Sequence, residues 1–107
     1  MGKVFIIQNK DVKRVLMGVP RGHKHYRCEI ELKDGKVLIF YEATVANIVR
    51  AYITMKTHPQ KQAIELYCKE LKNKKQGFAA YQLIETEKSE NEIVKELEEL
   101  LDKLTVQ

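Results

Sequence analysis

The segment HYRCEIELKDGKVLIFYE, residues 25 to 42, constrains this chain more than any other part of it. Tyr26, Cys28, Ile30 and Leu32 alternate with Arg27, Glu29 and Glu31, a period of two that gives a strand one buried and one polar face. Asp34-Gly35 is a favoured type I′ turn pair, and VLIFYE follows it, so 25–42 is expected to be an antiparallel hairpin.

The other elements are arranged around this hairpin. VFIIQ, 4–8, is a short apolar, β-branched run and reads as a buried strand. In 11–18, Val12, Val15 and Leu16 have helical spacing, but the NKD turn signal before them and the β-branched content favour a strand. Thr44 can cap a helix in which Val45, Ile48, Val49, Tyr52, Ile53 and Met55 cover most of the circumference, as expected for a central helix. THPQ, 57–60, has the form of a capping box with Thr57 as N-cap, opening a helix to about residue 76 that Gly77 would stop. Ile64, Leu66 and Cys68 also alternate, so a strand over AIELYCKEL stays open as the alternative. FAAYQLIE, 78–85, has strand composition, and would offer a pairing edge if outermost. SENE, 89–92, is a second capping box before a helix with Ile93, Leu97, Leu100 and Leu104 on one stripe, flanked by Val94 and Leu101. That stripe is expected to pack on the chain's own sheet, with a homodimer interface or a partner's groove as the alternatives. The order implies an α+β fold, an antiparallel meander of four or five strands with about three helices packed on one face, in a single domain over 1–107.

Composition limits the class of protein. With 44% hydrophobic and 32% charged residues, five Gly and two Pro, the chain is ordered and globular. Its longest apolar runs, VFII and VLIFY, are far short of the roughly 20 residues of a membrane helix. The N-terminus lacks a leader's apolar region and cleavage site, so a cytoplasmic protein without membrane partners is expected. Cys28 and Cys68 have no zinc-type spacing and read as free, buried thiols. The excess of Lys and Glu over Arg and Asp is of the kind found in heat-loving organisms.

Charge is unevenly distributed. Residues 10–27 carry Lys10, Lys13, Arg14, Arg21, Lys24 and Arg27 against Asp11 alone. Residues 50–75 carry seven cations against Glu65 and Glu70, whereas 85–103 carry eight acids against three lysines. Basic segments on a common face would form a footprint for phosphates, with Tyr26, Tyr41 or Tyr81 able to stack a base; otherwise they are solvated surface or neutralise the acidic segment. No RNP1-like run, KH-type GxxG loop, zinc finger or P-loop accompanies them.

The densest candidate site is Arg21, Gly22, His23, Lys24, His25 and Arg27. His23 and His25 would share one side of an extended segment, but two histidines without a third protein ligand make a poor metal site, and Cys28 has the opposite parity. Histidines beside Arg21 and Lys24 could serve acid/base cleavage of a phosphodiester. Passive anion contact asks less: a PRG turn, close backbone approach at Gly22 and three cations. The expectation is thus a non-enzymatic binding or regulatory domain without cofactor or metal, self-associating as a dimer, whose basic loop contacts RNA, DNA or another polyanion. A protein-interaction module with no nucleic-acid role, and a phosphodiester-cleaving enzyme using His23 and His25, are the alternatives.

Overall fold

The computed structural model describes residues 3–72 and 80–105, with the side chains of the last helix described to Asp102. It is α+β, with five antiparallel strands in two sheets and two helices: β1 (Val12–Gly18), β2 (Arg27–Leu32), β3 (Val37–Tyr41), α1 (Glu42–Thr57), β4 (Leu66–Glu70), β5 (Tyr81–Glu85) and α2 (Glu90–Thr105). The chain divides into two compact units, Met1–Val49 and Arg50–Gln107, with the boundary inside α1.

The first unit holds a three-stranded sheet in the order β1-β2-β3. The expected hairpin is present, pairing Arg27 with Tyr41, Cys28 with Phe40 and Glu31 with Val37. Its turn is not type I′, because Gly35 has φ +99° while no non-glycine residue has a positive φ. Gly35 N–H donates to Leu32 O at 3.0 Å and Leu32 N–H to Lys36 O at 2.8 Å, a three-residue loop with glycine in the left-handed position. The Asp34 side chain accepts from Lys36 N–H at 3.0 Å and Nζ at 2.7 Å, which stabilises this loop. The 11–18 segment is the strand β1, with a register irregularity between Val12 and Arg14 where Lys13 bulges out of the ladder.

Register sorts the side chains. Val15 and Met17 share a face with Ile30, Cys28, Leu38 and Phe40; Arg14 and Leu16 share the other with Glu31, Glu29, Val37 and Ile39. The buried strand expected over 4–8 is absent. These residues belong to no strand, with Phe5 60% exposed, and a 3-10 turn, Asn9–Asp11, separates them from β1. No neighbouring strand supplies a ladder, so the apolar composition alone does not make a strand here.

α1 starts at Glu42, directly after β3, rather than being capped by Thr44. It ends where the second helix was expected to begin. Thr57 Oγ1 donates back to Ile53 O at 2.8 Å and His58 N–H to Thr54 O at 3.1 Å, so Thr57 closes a helix instead of opening one. Pro59 then disfavours helical backbone at His58. The expected helix over 57–76 is replaced by β4, the alternating alternative, which pairs with β5 in a two-stranded sheet. Gly77, its expected stop, and Phe78–Ala79 of the expected FAAYQLIE strand lie outside the described residues, as do Lys74 and Lys75. α2 begins as expected: Ser89 Oγ accepts from Glu92 N–H at 3.2 Å.

Burial is sparse. Among the described residues, Cys28, Leu32 and Ala63 are the buried hydrophobic side chains. α1 is not the buried central helix expected, since Ile48, Val49, Tyr52 and Ile53 are all exposed, and the α2 stripe leaves Leu97, Leu100 and Leu101 exposed. Both cysteines are free, but Cys68 is exposed rather than buried. No helix among the described residues is long and apolar enough to cross a membrane.

Candidate functional site

The loop between β1 and β2 carries the six candidate residues and puts them to different uses. Pro20–His23 is a turn, closed by His23 N–H donating to Pro20 O at 3.0 Å, with Gly22 at φ +83°. A positive φ at the third position alone is the type II geometry that glycine adopts without steric cost. Residues 21–25 form turns and bends, so the extended parity that put His23 and His25 on one side does not apply. Tyr26, expected in the buried phase of the strand, precedes β2 and is 52% exposed.

At the loop's C-terminal end the site is already filled by the protein's own groups. Glu42 Oε1 accepts from Tyr26 N–H at 2.8 Å and lies 3.7 Å from His25 Nδ1. The Arg27 guanidinium sits 3.9 Å from the centroid of the Tyr41 ring, and its Nη1 donates to Tyr26 O at 3.1 Å and His25 O at 3.4 Å. An apolar cleft of about 190 Å³ opens beside Glu42, lined by Met17, Cys28, Val45 and Ala46. Arg27 is thereby a cross-strand stacking residue, and the loop's anion is an internal carboxylate. Arg21, Gly22, His23 and Lys24 stay exposed at the turn.

Glu42 belongs to this arrangement and was not singled out from sequence, while Tyr41, expected as a residue to stack a base, stacks on Arg27 instead. Counting outward from Asp34-Gly35 as a two-residue turn pairs Arg27 with Glu42; the three-residue loop shifts the register by one, so that Arg27 pairs with Tyr41 and Tyr26 reaches Glu42.

The other cations of this unit are engaged differently. Arg14 Nε and Nη2 form a bidentate pair with Glu31 at 2.7 and 2.9 Å across β1 and β2. Hydrogen bonding and charge raise the guanidinium's pKa and hold the Glu31 carboxyl below the usual carboxylate range. The basic segment 10–27 lies in the first unit, whereas 50–75 lies in the second.

In the second unit, Lys88 Nζ bridges Glu65 Oε2 at 3.3 Å and Glu96 Oε1 at 3.1 Å, and Lys61 Nζ meets Glu85 Oε1 at 3.0 Å. Partial desolvation works against ionisation of Glu65, but the hydrogen bond and charge of Lys88 outweigh it and lower its pKa. His58, the third histidine, has Nδ1 2.9 Å from Thr54 O at the end of α1. No group of three His, Cys, Asp or Glu side chains that could hold a metal ion occurs among the described residues.

No family model, no curated protein and no solved structure matches this chain, so its function is to be sought in these contacts and surfaces.

Proposed function

We propose that this chain is a non-enzymatic interaction module of the cytoplasm that works as a self-associated assembly. One observation carries the reading: three hydrophobic side chains are buried among the described residues, while large apolar side chains from Val4 to Leu101 are exposed in every part of the chain. Stability is a small difference between large terms, so surface left in water on this scale favours association that removes it. Sedimentation equilibrium across micromolar concentrations tests this. A reversible dimer or higher species is expected; a monomer throughout overturns the reading.

A second reading rests on the turn at 21–24. Arg21 and Lys24 have no ion-pair partner among the described contacts, whereas Arg14, Lys36, Lys61 and Lys88 each have one. Residues before position 50 carry nine cations and five acids, and those from Arg50 onward ten of each, so the net +4 belongs to the first unit. That supports contact with a polyanion such as RNA or DNA through Arg21 and Lys24. Fluorescence anisotropy with a short single-stranded RNA and a short DNA duplex, at two salt concentrations, is the test. Salt-sensitive binding weakened in Arg21→Ala/Lys24→Ala supports it, and no binding at low salt removes it. Cleavage lost in His25→Ala would instead support phosphodiester chemistry.

A further inference from the structure

Four strands of this protein end a sheet, and they differ in what they present to a neighbouring strand. β1 carries the Lys13 bulge and Arg14. β4 carries Lys69 and Glu70, and β5 carries Gln82 and Glu85. Charges and bulges of this kind are what sheets use to discourage edge pairing. β3, Val-Leu-Ile-Phe-Tyr, has neither a charge, a proline nor a bulge, and among the described residues no strand lies beyond it. Val37, Ile39 and Tyr41 line one face of that strand and are 48%, 61% and 62% exposed.

We propose that two copies of the chain pair through β3, antiparallel about Ile39, joining two three-stranded sheets into one of six strands. The inference rests on the self-association reading and names the surface that carries it. A two-fold axis at Ile39 sets Val37 opposite the partner's Tyr41 and Leu38 opposite the partner's Phe40, so every directly opposed pair is apolar. The exposed Val37, Ile39 and Tyr41 of both copies then form one continuous patch on a shared face.

The same register has a consequence at its ends. Just beyond each end of the strand, the same two-fold brings Lys36, at the hairpin loop, near the partner's Glu42, the first residue of α1, twice by symmetry. Lys36 Nζ is held by Asp34 at 2.7 Å and lies 5.4 Å from the centroid of the Phe5 ring, and Glu42 Oε1 accepts from Tyr26 N–H beside His25, so the second carboxylate oxygen is the one that faces a neighbour's ammonium. A shift of the pairing by two residues would lose this match, so charge complementarity favours the centred register.

The test uses the full chain with the exposed thiol removed by Cys68→Ser; Cys28 is buried. Under mild oxidation Ile39→Cys is expected to form a cross-linked dimer, because the residue on the axis alone faces its own copy. Val37→Cys by itself should not, whereas mixed Val37→Cys and Tyr41→Cys chains should. Independently, Ile39→Lys sets two like charges side by side and is expected to weaken the dimer about tenfold or more by sedimentation. The side chain is already 61% exposed in the single chain, so circular dichroism should show an unchanged fold. Val15→Lys, an exposed position on β1, should leave the dimer intact. If the parent chain is monomeric, the self-association reading falls together with this inference. If the parent is a dimer but Ile39→Lys remains one, or Ile39→Cys does not cross-link, the edge pairing is overturned and the reading stands. A monomeric parent that takes up an added apolar strand peptide at β3 would show the edge to be a docking site for another protein, and overturns pairing between copies.

Discussion

β1 and β3 flank the same central strand, yet they finish the sheet in opposite ways. β1 is longer, broken by the Lys13 bulge, and tied to β2 through the bidentate Arg14–Glu31 pair. β3 is five apolar residues in unbroken register. Both strands expose unpaired backbone amides and carbonyls, so what distinguishes them is whether an approaching strand must desolvate a charge. One edge is closed by side-chain chemistry, and the other is left open.

Removing that chemistry should have the largest effect. Lys13→Val/Arg14→Val takes both charges from β1 and leaves a second open edge, so light scattering should show growth beyond the parent's oligomer at micromolar concentration. An unchanged oligomer would mean that charge is not what closes β1. Next comes the contrast between buried and exposed apolar groups of the same sheet. Leu32→Ala should cost about 2–5 kcal/mol in denaturant unfolding, because Leu32 is one of the few buried side chains. Ile39→Ala should cost no more than about 0.5 kcal/mol at concentrations where the chain is a monomer. Equal losses at the two positions would remove the distinction between a closed and an open face.

Smaller effects come from the hairpin's geometry and its charges. Gly35→Ala forces a side chain into φ +99° and should cost about 1–2 kcal/mol, while Gly18→Ala, with open space around it and no positive φ, should be neutral. The weakest effect is that of acid. Glu31, Asp34 and Glu65 all have pKa values lowered in the folded chain by their cationic partners. A carboxyl with a depressed folded pKa contributes stability above its ordinary value, 4.5 for Glu and 3.8 for Asp, and loses it as pH falls through the folded value. The thermal midpoint should therefore be level from neutral pH down to about 5 and decline below about 4. Arg14 stays charged throughout, so acid should not open β1, and scattering at pH 4 should match that at pH 7.

Much of the first unit's sheet was legible because its signals are local. The alternation in 26–32 and Asp34-Gly35 specify the hairpin, though not its register, which the three-residue loop moves by one position from that of a two-residue turn; Ser89 specifies the start of α2. The 57–76 segment was read as a helix because Thr57 and Gln60 mimic a capping box, whereas Pro59 marks a helix's end as readily as its first turn. The candidate loop was located as a cluster, but its division was not legible. Arg27 and His25 are drawn to Tyr41 and Glu42, residues 14 and 17 positions further along the chain, while Arg21 and Lys24 stay exposed at the turn.

The sequence by itself determined the α+β class, the central hairpin, the last helix and the uneven layout of charge, since period, turn residues and caps act over a few neighbouring positions. Only the tertiary structure decided that 66–70 is a strand, that 4–8 is not one, and that β3 is left without a neighbour. A strand exists by virtue of a distant partner's hydrogen bonds, and an apolar side chain is buried or bare according to what the rest of the chain brings over it.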